Sequence, residues 1–261
     1  MITLLNNDKW DSKELVDKMH DDDFYYNYLG KNALSSSSLK KLLESPKAYW
    51  QSLQESDDNQ NFRDGRLIHM MILEPDKAED LEIVSGTKAT KAYKTAVEEL
   101  GSHKVYTSSE FNNAKRVVDA LMSNDEARFY LEGMEFEVPN IGVIDDIPFR
   151  AKADCISKDW STIVDLKTTS SISSWEWSAK NFKYNMQAEL YKRIFGAEEF
   201  FFLVVDKKTL DIGVYEVSDD AYKSGWNDIL MGIYEYKQWE HVFKSNNPEE
   251  LFKKHVIRGI L

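Results

Sequence analysis

The sequence predicts a mixed α/β fold, with a central mixed sheet flanked by helices. Three observations predict it. Apolar residues recur at helical spacing through the first half, switch to alternation from Glu135, and return to helical spacing after Ser174 before two last strand-like runs. No Gly/Ser-rich linker, low-complexity tract or internal repeat divides the chain. Hydrophobic residues make up 42% and aromatics 13% of 261 residues, which supplies a core and excludes a disordered chain. The expected organisation is one domain: a helical N-terminal part over 1–60, a core over 61–217 and a helical C-terminal part over 218–261.

Each element has a local reason. Ser35 to Ser38 precede Leu39-Lys40-Lys41-Leu42-Leu43, with Pro46 beyond, which is a short helix capped by serine. A second helix should follow Arg63-Asp64-Gly65, carry Leu67, Ile68, Met71 and Ile72 inward, and stop before Pro75. Glu110 to Leu131 reads as a third, with Phe111, Ala114, Val118, Leu121 and Met122 at helical spacing. Strands follow: Phe136 and Val138 alternate with acids, Ile141 to Ile147 is apolar-rich, and Phe149 to Ile156 alternates. Ser161 to Thr168 is the next, joined through Ser157-Lys158-Asp159-Trp160. One long helix is expected over Ser174 to Phe195, then a hairpin of Phe200–Val205 and Ile212–Val217, then helix to the end.

Composition narrows the function classes. With 33 Lys+Arg against 45 Asp+Glu the net charge is −12, which lowers the prior for a nucleic-acid partner without removing it, because a basic groove can sit on an acidic body. Apolar runs such as Phe200 to Val205 fall far short of the roughly 20 residues of a membrane-spanning helix. Met1 to Trp10 lacks the basic start and apolar stretch of a secretory signal. The one cysteine, Cys155, excludes an internal disulfide, a Cys-based zinc site and a four-cysteine iron–sulfur cluster. A cytoplasmic, soluble protein with no membrane partner is the expectation.

The chemistry is concentrated in two neighbouring strands. Alternation puts Arg150, Lys152 and Asp154 on one face of the first strand and Phe149, Ala151, Ala153 and Cys155 on the other. In the next strand Ile163, Asp165 and Lys167 point together, opposite Val164 and Leu166. If the strands pair, Asp154 and Asp165 converge with Lys167 beside them. Two carboxylates and a lysine in an apolar sheet carry a large desolvation cost, and hard oxygen ligands suit Mg²⁺ or Mn²⁺. A lone D-x-K would more often be a structural ion pair; an acid ending one strand and D-x-K in the next is the more specific pattern.

These residues resemble a known family. Asp154 followed by Asp165-Leu166-Lys167-Thr168-Thr169 is similar to the PD-(D/E)xK nuclease core of restriction enzymes and the RecB nuclease domain. Gly65-Arg66-Leu67-Ile68-His69 resembles the G-x-x-x-H helix motif of the RecB-like branch, and Gln187-Ala188-Glu189-Leu190-Tyr191 its Q-x-x-x-Y motif. Ser36 to Trp50 resembles the N-terminal signature of phage RecE-type exonucleases. Ala153 stands where many relatives have Pro, and no P-loop is present.

The resemblance implies a restriction-endonuclease-like core and a site of Asp154, Asp165 and Lys167. It further implies a Mg²⁺ site, with Mn²⁺ as substitute, made by His69, Asp154, Asp165 and the Leu166 carbonyl. From position alone His69 reads more often as a hydrogen-bonded core histidine than as a ligand. Glu135 or Glu137 is a candidate further ligand. Arg66, Arg150, Lys152, Lys183, Gln187 and Tyr191 are candidate DNA contacts; Lys183, Gln187 and Tyr191 would form one polar helix row, which could also be a plain solvated face. Lys88, Lys91 and Lys94 form a possible basic stripe on a helix. The implied activity is degradation of double-stranded DNA from its ends, 5′→3′, exposing 3′ single strands for a single-strand annealing partner, by a homo-oligomeric ring of three or four subunits. An endonuclease of repair or restriction and a non-catalytic DNA-binding scaffold are the alternatives.

Overall fold

The computed structural model describes residues 1–54, 59–245 and 247–254. A two-stranded antiparallel ribbon, β1 (Ile2–Thr3) and β2 (Lys9–Trp10), opens the chain. α1 (Ser12–Lys18), a π-helical turn at Phe24–Tyr28 and α2 (Leu29–Asn32) then bury Leu15, Met19, Tyr25 and Leu29 in a small cluster that closes on Ile141. α3 (Ser36–Glu44) starts at Ser35, whose hydroxyl accepts from the Ser38 amide; α4 (Pro46–Ser52) follows from Ser45. Both serines satisfy amides that a helix start leaves without partners.

α5 runs over Gln60–Leu73, capped by Asn59, so it begins before the Arg63-Asp64-Gly65 start expected and carries Gly65 in its interior. α6 (Pro75–Glu79) leads to β3 (Glu82–Val84), α7 (Lys91–Leu100) and β4 (Val105–Thr107); β3 and β4 pair in parallel, a small sheet too short to be seen as alternation. The single helix expected over Glu110 to Leu131 is two, α8 (Ser108–Ser123) and α9 (Asp125–Leu131). The Asn124 side chain accepts the Ala127 amide, so a capping residue starts a new helix where the apolar spacing alone suggested continuation.

The main sheet holds β5 (Glu135–Ile144), β6 (Ile147–Ile156) and β7 (Thr162–Thr169). A 3₁₀ turn at Ile172–Ser174, α10 (Trp175–Asn181) and α11 (Tyr184–Phe195) then cross over to β8 (Glu199–Asp206) and β9 (Ile212–Glu216). The long helix expected from Ser174 is broken because Lys183 adopts left-handed φ of 58° between α10 and α11. α12 (Asp219–Ser245) and α13 (Glu249–Lys254) complete the described chain; residues 255–261 of the expected helical C-terminal part lie outside the described residues.

Strand order is β5-β6-β7-β8-β9, with β7 and β8 parallel and the other pairs antiparallel. The mixed α/β fold with a central mixed sheet is therefore present. One face, through Phe149, Ala151, Ala153 and Ile163, packs on α11, α3 and α12. The other, through Val164, Leu166, Leu203 and Val205, packs on α5 and α8. β7 is covered on both sides, which is why Ile163, Val164 and Leu166 read as an apolar run rather than an alternation. No helix among the described residues is long and apolar enough to cross a membrane.

The alternation expected along β6 fails at one point. Cys155 lies in the core on the α5 side, whereas Phe149, Ala151 and Ala153 lie in the core on the α11 side. The β5–β6 ladder pairs Phe136 with Cys155 and Val138 with Ala153 but skips Glu137 and Asp154 between them. Glu137 there has φ of 51°, and the Asp154 carboxylate accepts the Leu166 amide at 2.9 Å, standing in for a ladder carbonyl. A side chain has replaced one rung, and the strand turns over at that residue.

Two glycines let α12 lie close to its neighbours. A Cβ at Gly225 would stand 2.5 Å from the Asn185 carbonyl oxygen, and one at Gly232 would stand 2.6 Å from Leu39 Cδ2. Gly225→Ala should therefore destabilise the fold by about 1–3 kcal/mol, because backbone has to give way. Gly30→Ala, whose nearest neighbour would be an Arg150 nitrogen at 3.8 Å, should be neutral or slightly stabilising. Urea midpoints of the two variants test this; equal shifts would contradict the packing.

Candidate active site

Four elements bring polar groups to the irregular point in β6. α5 is fixed first. Buried Arg63 donates to the carbonyls of Ser102 (2.6 Å) and Val105 (2.8 Å), pairs with Glu110 at 3.3 Å, and lies over the Tyr106 ring. With its start held, α5 places His69 beside β6, His69 Nδ1 lying 3.6 Å from Asp154 Oδ2. Arg66, three residues earlier, is exposed. β5 supplies Glu137 through its left-handed residue, and ligand atoms of His69, Glu137 and Asp154 all lie within 4.8 Å of one another. All three residues are half-buried. Glu135 is exposed and paired with Ile156 in the ladder, outside that group.

β7 supplies the rest. Asp165, 1% exposed, accepts from Gln187 Nε2 at 2.6 Å through Oδ1 and pairs with the Lys167 ammonium through Oδ2. Asp165 is thus engaged by Lys167 and Gln187 rather than grouped with His69, Glu137 and Asp154. The Lys167 ammonium rests over the rings of Tyr184 (5.2 Å) and Phe202 (6.0 Å). The Leu166 amide is taken by Asp154, and its carbonyl faces the His69 ring.

The electrostatics of the group would suit a cation. Burial raises the Asp154 carboxyl above the usual carboxylate range. Burial also lifts Asp165 to about 6, against the pull of Lys167. Glu137 is pushed up to about 8 by burial and then by the charges of Asp154 and Glu74. Burial opposes charge on Lys167, but Asp165 and Asp154 outweigh it and hold the ammonium above the ordinary lysine range. Burial and then the Lys167 charge push His69 down to about 4, leaving a neutral imidazole whose ring nitrogen can ligate. Glu137 and Asp154, whose ionised forms burial penalises, sit beside a neutral imidazole, and these three side chains could serve as the donor set of a hard divalent cation.

The candidate DNA contacts are scattered. Lys152 is 9% exposed at its side chain; it pairs with Asp22 at 2.9 Å, lies 4.0 Å from Glu137, and sits under the rings of Tyr25 and Tyr26. Arg150 lies over the Tyr25 ring, with its Nε buried. The polar row expected on one helix does not form. Lys183 precedes α11 and pairs with Asp228 at 3.0 Å, and Tyr191 is buried in the core, bonded to the Lys152 backbone. Gln187 alone of the three faces the acids. The basic stripe also dissolves: Lys88 lies before α7, donating to Gln60 at 2.7 Å and pairing with Glu110 at 2.9 Å, while Lys91 and Lys94 are exposed on the helix.

Sequence reasoning left three participants unassigned. Tyr184, under Lys167, sits three residues before Gln187, but nothing in spacing marks it. Asp22 and Lys77, which pair at 2.6 Å beside Lys152, come from distant segments. Glu137 was one of two alternatives, and its left-handed backbone, invisible in sequence, separates it from Glu135.

With this geometry in view, similarity to known proteins can be stated. The family model described as PDDEXK-like domain of unknown function (DUF3799) matches residues 35–255. A crystal structure of a protein from Eubacterium rectale, provisionally described as an exonuclease, superposes with a TM-score of 0.66 at 17% identity, covering 92% of this chain and 95% of that one, and shares the fold. A phage-related exonuclease from Haemophilus somnus 129PT covers 82% of this chain and 96% of its own at 12% identity, but its TM-score of 0.35 carries no argument about the fold. No curated protein matches the sequence.

The raised carboxylates give a pH-dependent prediction for the metal-free chain. A Glu137 carboxyl at about 8, above its ordinary 4.5, contributes stability that is full at low pH and is lost as pH rises toward 8. In EDTA, Glu137→Gln should unfold near the wild-type temperature at pH 5 and be more stable by about 1–3 kcal/mol at pH 8.5. Adding Mn²⁺ at pH 8.5 should reverse the order, since only the wild type keeps the full donor set. A difference independent of pH would show that the carboxylate carries no such strain.

Proposed function

The chain belongs to this family of PDDEXK-like domains, and from that premise we propose that it is a metal-dependent deoxyribonuclease acting on double-stranded DNA from its ends. The observation that carries the reading is the convergence of His69, Glu137 and Asp154 one strand away from a protonated, clamped Lys167. A structural ion pair would need neither the third carboxylate nor the distorted backbone at Glu137. His69, Glu137 and Asp154 would hold a divalent cation, Mg²⁺ with Mn²⁺ as substitute, with the Leu166 carbonyl and Asp165 adjoining. Bound there, such a cation supplies Lewis acidity toward a phosphate oxygen and offsets the charge of the transition state.

The protein's own groups do the remaining work. Asp165 and Gln187 hold Lys167 in one position; its ammonium donates to the attacking water and the phosphate oxygens and so aligns them for in-line displacement. His69 stays neutral and leaves its nitrogen lone pair available. Arg66, exposed three residues before His69 on α5, contacts a neighbouring backbone phosphate. Lys152, on the strand that carries Asp154, lies 4.0 Å from Glu137 and offsets part of the negative charge around it.

The finer reading is a RecE-type exonuclease. It rests on the Ser36 to Trp50 signature and the motif order, and it implies 5′→3′ polarity, an annealing partner for the exposed 3′ strand, and a ring of subunits that gathers basic residues along a channel. In this reading the whole chain is one nuclease domain working in the cytoplasm of a bacterial or phage-infected cell.

End-labelled linear duplex should be degraded in Mg²⁺ or Mn²⁺ and be stable in EDTA, while a closed circle of the same sequence survives. Cutting of the circle would turn the reading toward an endonuclease. Lys167→Gln, whose amide still donates to Asp165, should lower kcat about 10²–10⁴-fold while Mn²⁺ binding by calorimetry stays near wild type. Undiminished turnover in that variant would remove Lys167 from the mechanism.

A further inference from the structure

The molecule leaves two large rings in solvent beside this site. Trp177 is 72% exposed and Phe182 is 50% exposed, five residues apart on α10 and the turn after it. Scattered exposed apolar side chains are ordinary, but these two are mounted on a rigid base. At the start of the same helix, Trp175 is 3% exposed and stacks on Tyr184 at 5.4 Å, with Phe202 at 5.9 Å and Tyr215 at 5.7 Å. The short helix therefore cannot rotate to bury Trp177 without pulling Trp175 out of the core.

Phe182 is also connected to the chemistry. The Lys167 ammonium lies 5.2 Å from the Tyr184 ring, and that ring lies 5.7 Å from the ring of Phe182. The Lys40 ammonium also stands 4.5 Å from the centre of the Phe182 ring, which is still half-exposed, and exposed Lys180 lies two residues before it. Two touching rings, Tyr184 and Phe182, thus each carry a nearby ammonium, that of Lys167 and that of Lys40. Positive charge that follows a phosphate backbone, alternating with faces on which bases stack, is how proteins hold single-stranded nucleic acid without reading its sequence.

We propose that Phe182, supported by Trp177, is a stacking platform for unpaired bases of a DNA single strand next to the cleavage site. The inference rests on the nuclease reading and adds a property of the substrate. Bases inside a duplex are stacked on each other and offer no free face to a protein ring, so the platform engages only a nucleotide that has left the helix. The preferred substrate is then a frayed or resected end rather than a blunt one, and the platform stabilises the frayed state of an end that arrives paired. The ammonium groups of Lys40 and Lys180 alongside are complementary to the strand's phosphates, and the Tyr184 ring joins Phe182 to Lys167.

The test is equilibrium binding of a fluorescein-labelled 12-nucleotide single strand, and of a blunt duplex of the same sequence, to the full chain in EDTA. The wild type should bind the single strand. Phe182→Ala should weaken that binding about 5- to 100-fold and change blunt-duplex binding less than twofold, with Phe182→Tyr restoring it. Trp177→Ala should act in the same direction. Both rings are solvent-exposed, so unfolding temperatures should stay at the wild-type value. Equal single-strand affinity for wild type and Phe182→Ala, equal losses on both probes, or no single-strand binding by the wild type overturns the platform. Cleavage of linear duplex by the wild type in Mn²⁺, measured separately, reports on the nuclease reading: cleavage with unaltered binding by Phe182→Ala removes the platform alone, and absence of cleavage removes the reading beneath it.

Discussion

The site depends on a surplus of negative charge gathered where a sheet turns over. Asp154, Asp165 and Glu137 all have their ionised forms penalised by burial; the Lys167 ammonium answers Asp165 directly, and Lys152 lies 4.0 Å from Glu137. Charged groups withdrawn from water cost several kcal/mol each unless they are paired. The fold carries that load because its two large cores lie on either side of β7, and the penalty is gathered where β5, β6 and β7 meet α5. The electrostatic imbalance is what would make the arrangement receptive to a divalent ion.

Backbone irregularity is the means by which the charges reach one another. In a regular antiparallel ladder Glu137 and Asp154 would be directly opposed, and the residues on either side of Asp154 would share a core. Instead the rung is missing, Glu137 adopts a left-handed conformation, and Asp154 bonds to the Leu166 amide. That bond fastens β6 to β7 beyond the short run of pairs at Cys155–Val164 and Ile156–Ile163. It also directs the Asp154 carboxylate to the same place as His69. A candidate functional carboxylate and a structural rung are one group here.

Much of the fold was legible in the sequence, because helical spacing around Leu39, Leu67 and Ala114 and the alternation along β6 follow directly from burial. The helix boundaries were less so. Asn124 and Lys183 interrupt apolar patterns that continue across them, and a local side-chain bond or a left-handed residue overrides periodicity. Of the site, Asp154, Asp165 and Lys167 stand out because charged residues in apolar strands are anomalous. Glu137 could not be separated from Glu135, since a one-residue inversion of facing leaves no trace in residue type. Tyr191 and Lys183 looked equivalent to Gln187 on a helical wheel; the break before Tyr184 moved one off the row, and core packing took the other.

The Arg63 clasp separates two parts of the chain in a useful way. Its guanidinium grips main-chain oxygens at Ser102 and Val105 and meets two inward rings, Tyr93 and Tyr106, so what it recognises in the stretch from Glu82 to Thr107 is a backbone shape and the inner face of that excursion. Residues on the outer surface are therefore released from the demands of the candidate site's geometry. Sequence can drift there while the helix bearing His69 keeps its alignment, as long as two carbonyls and two tyrosines still meet one arginine.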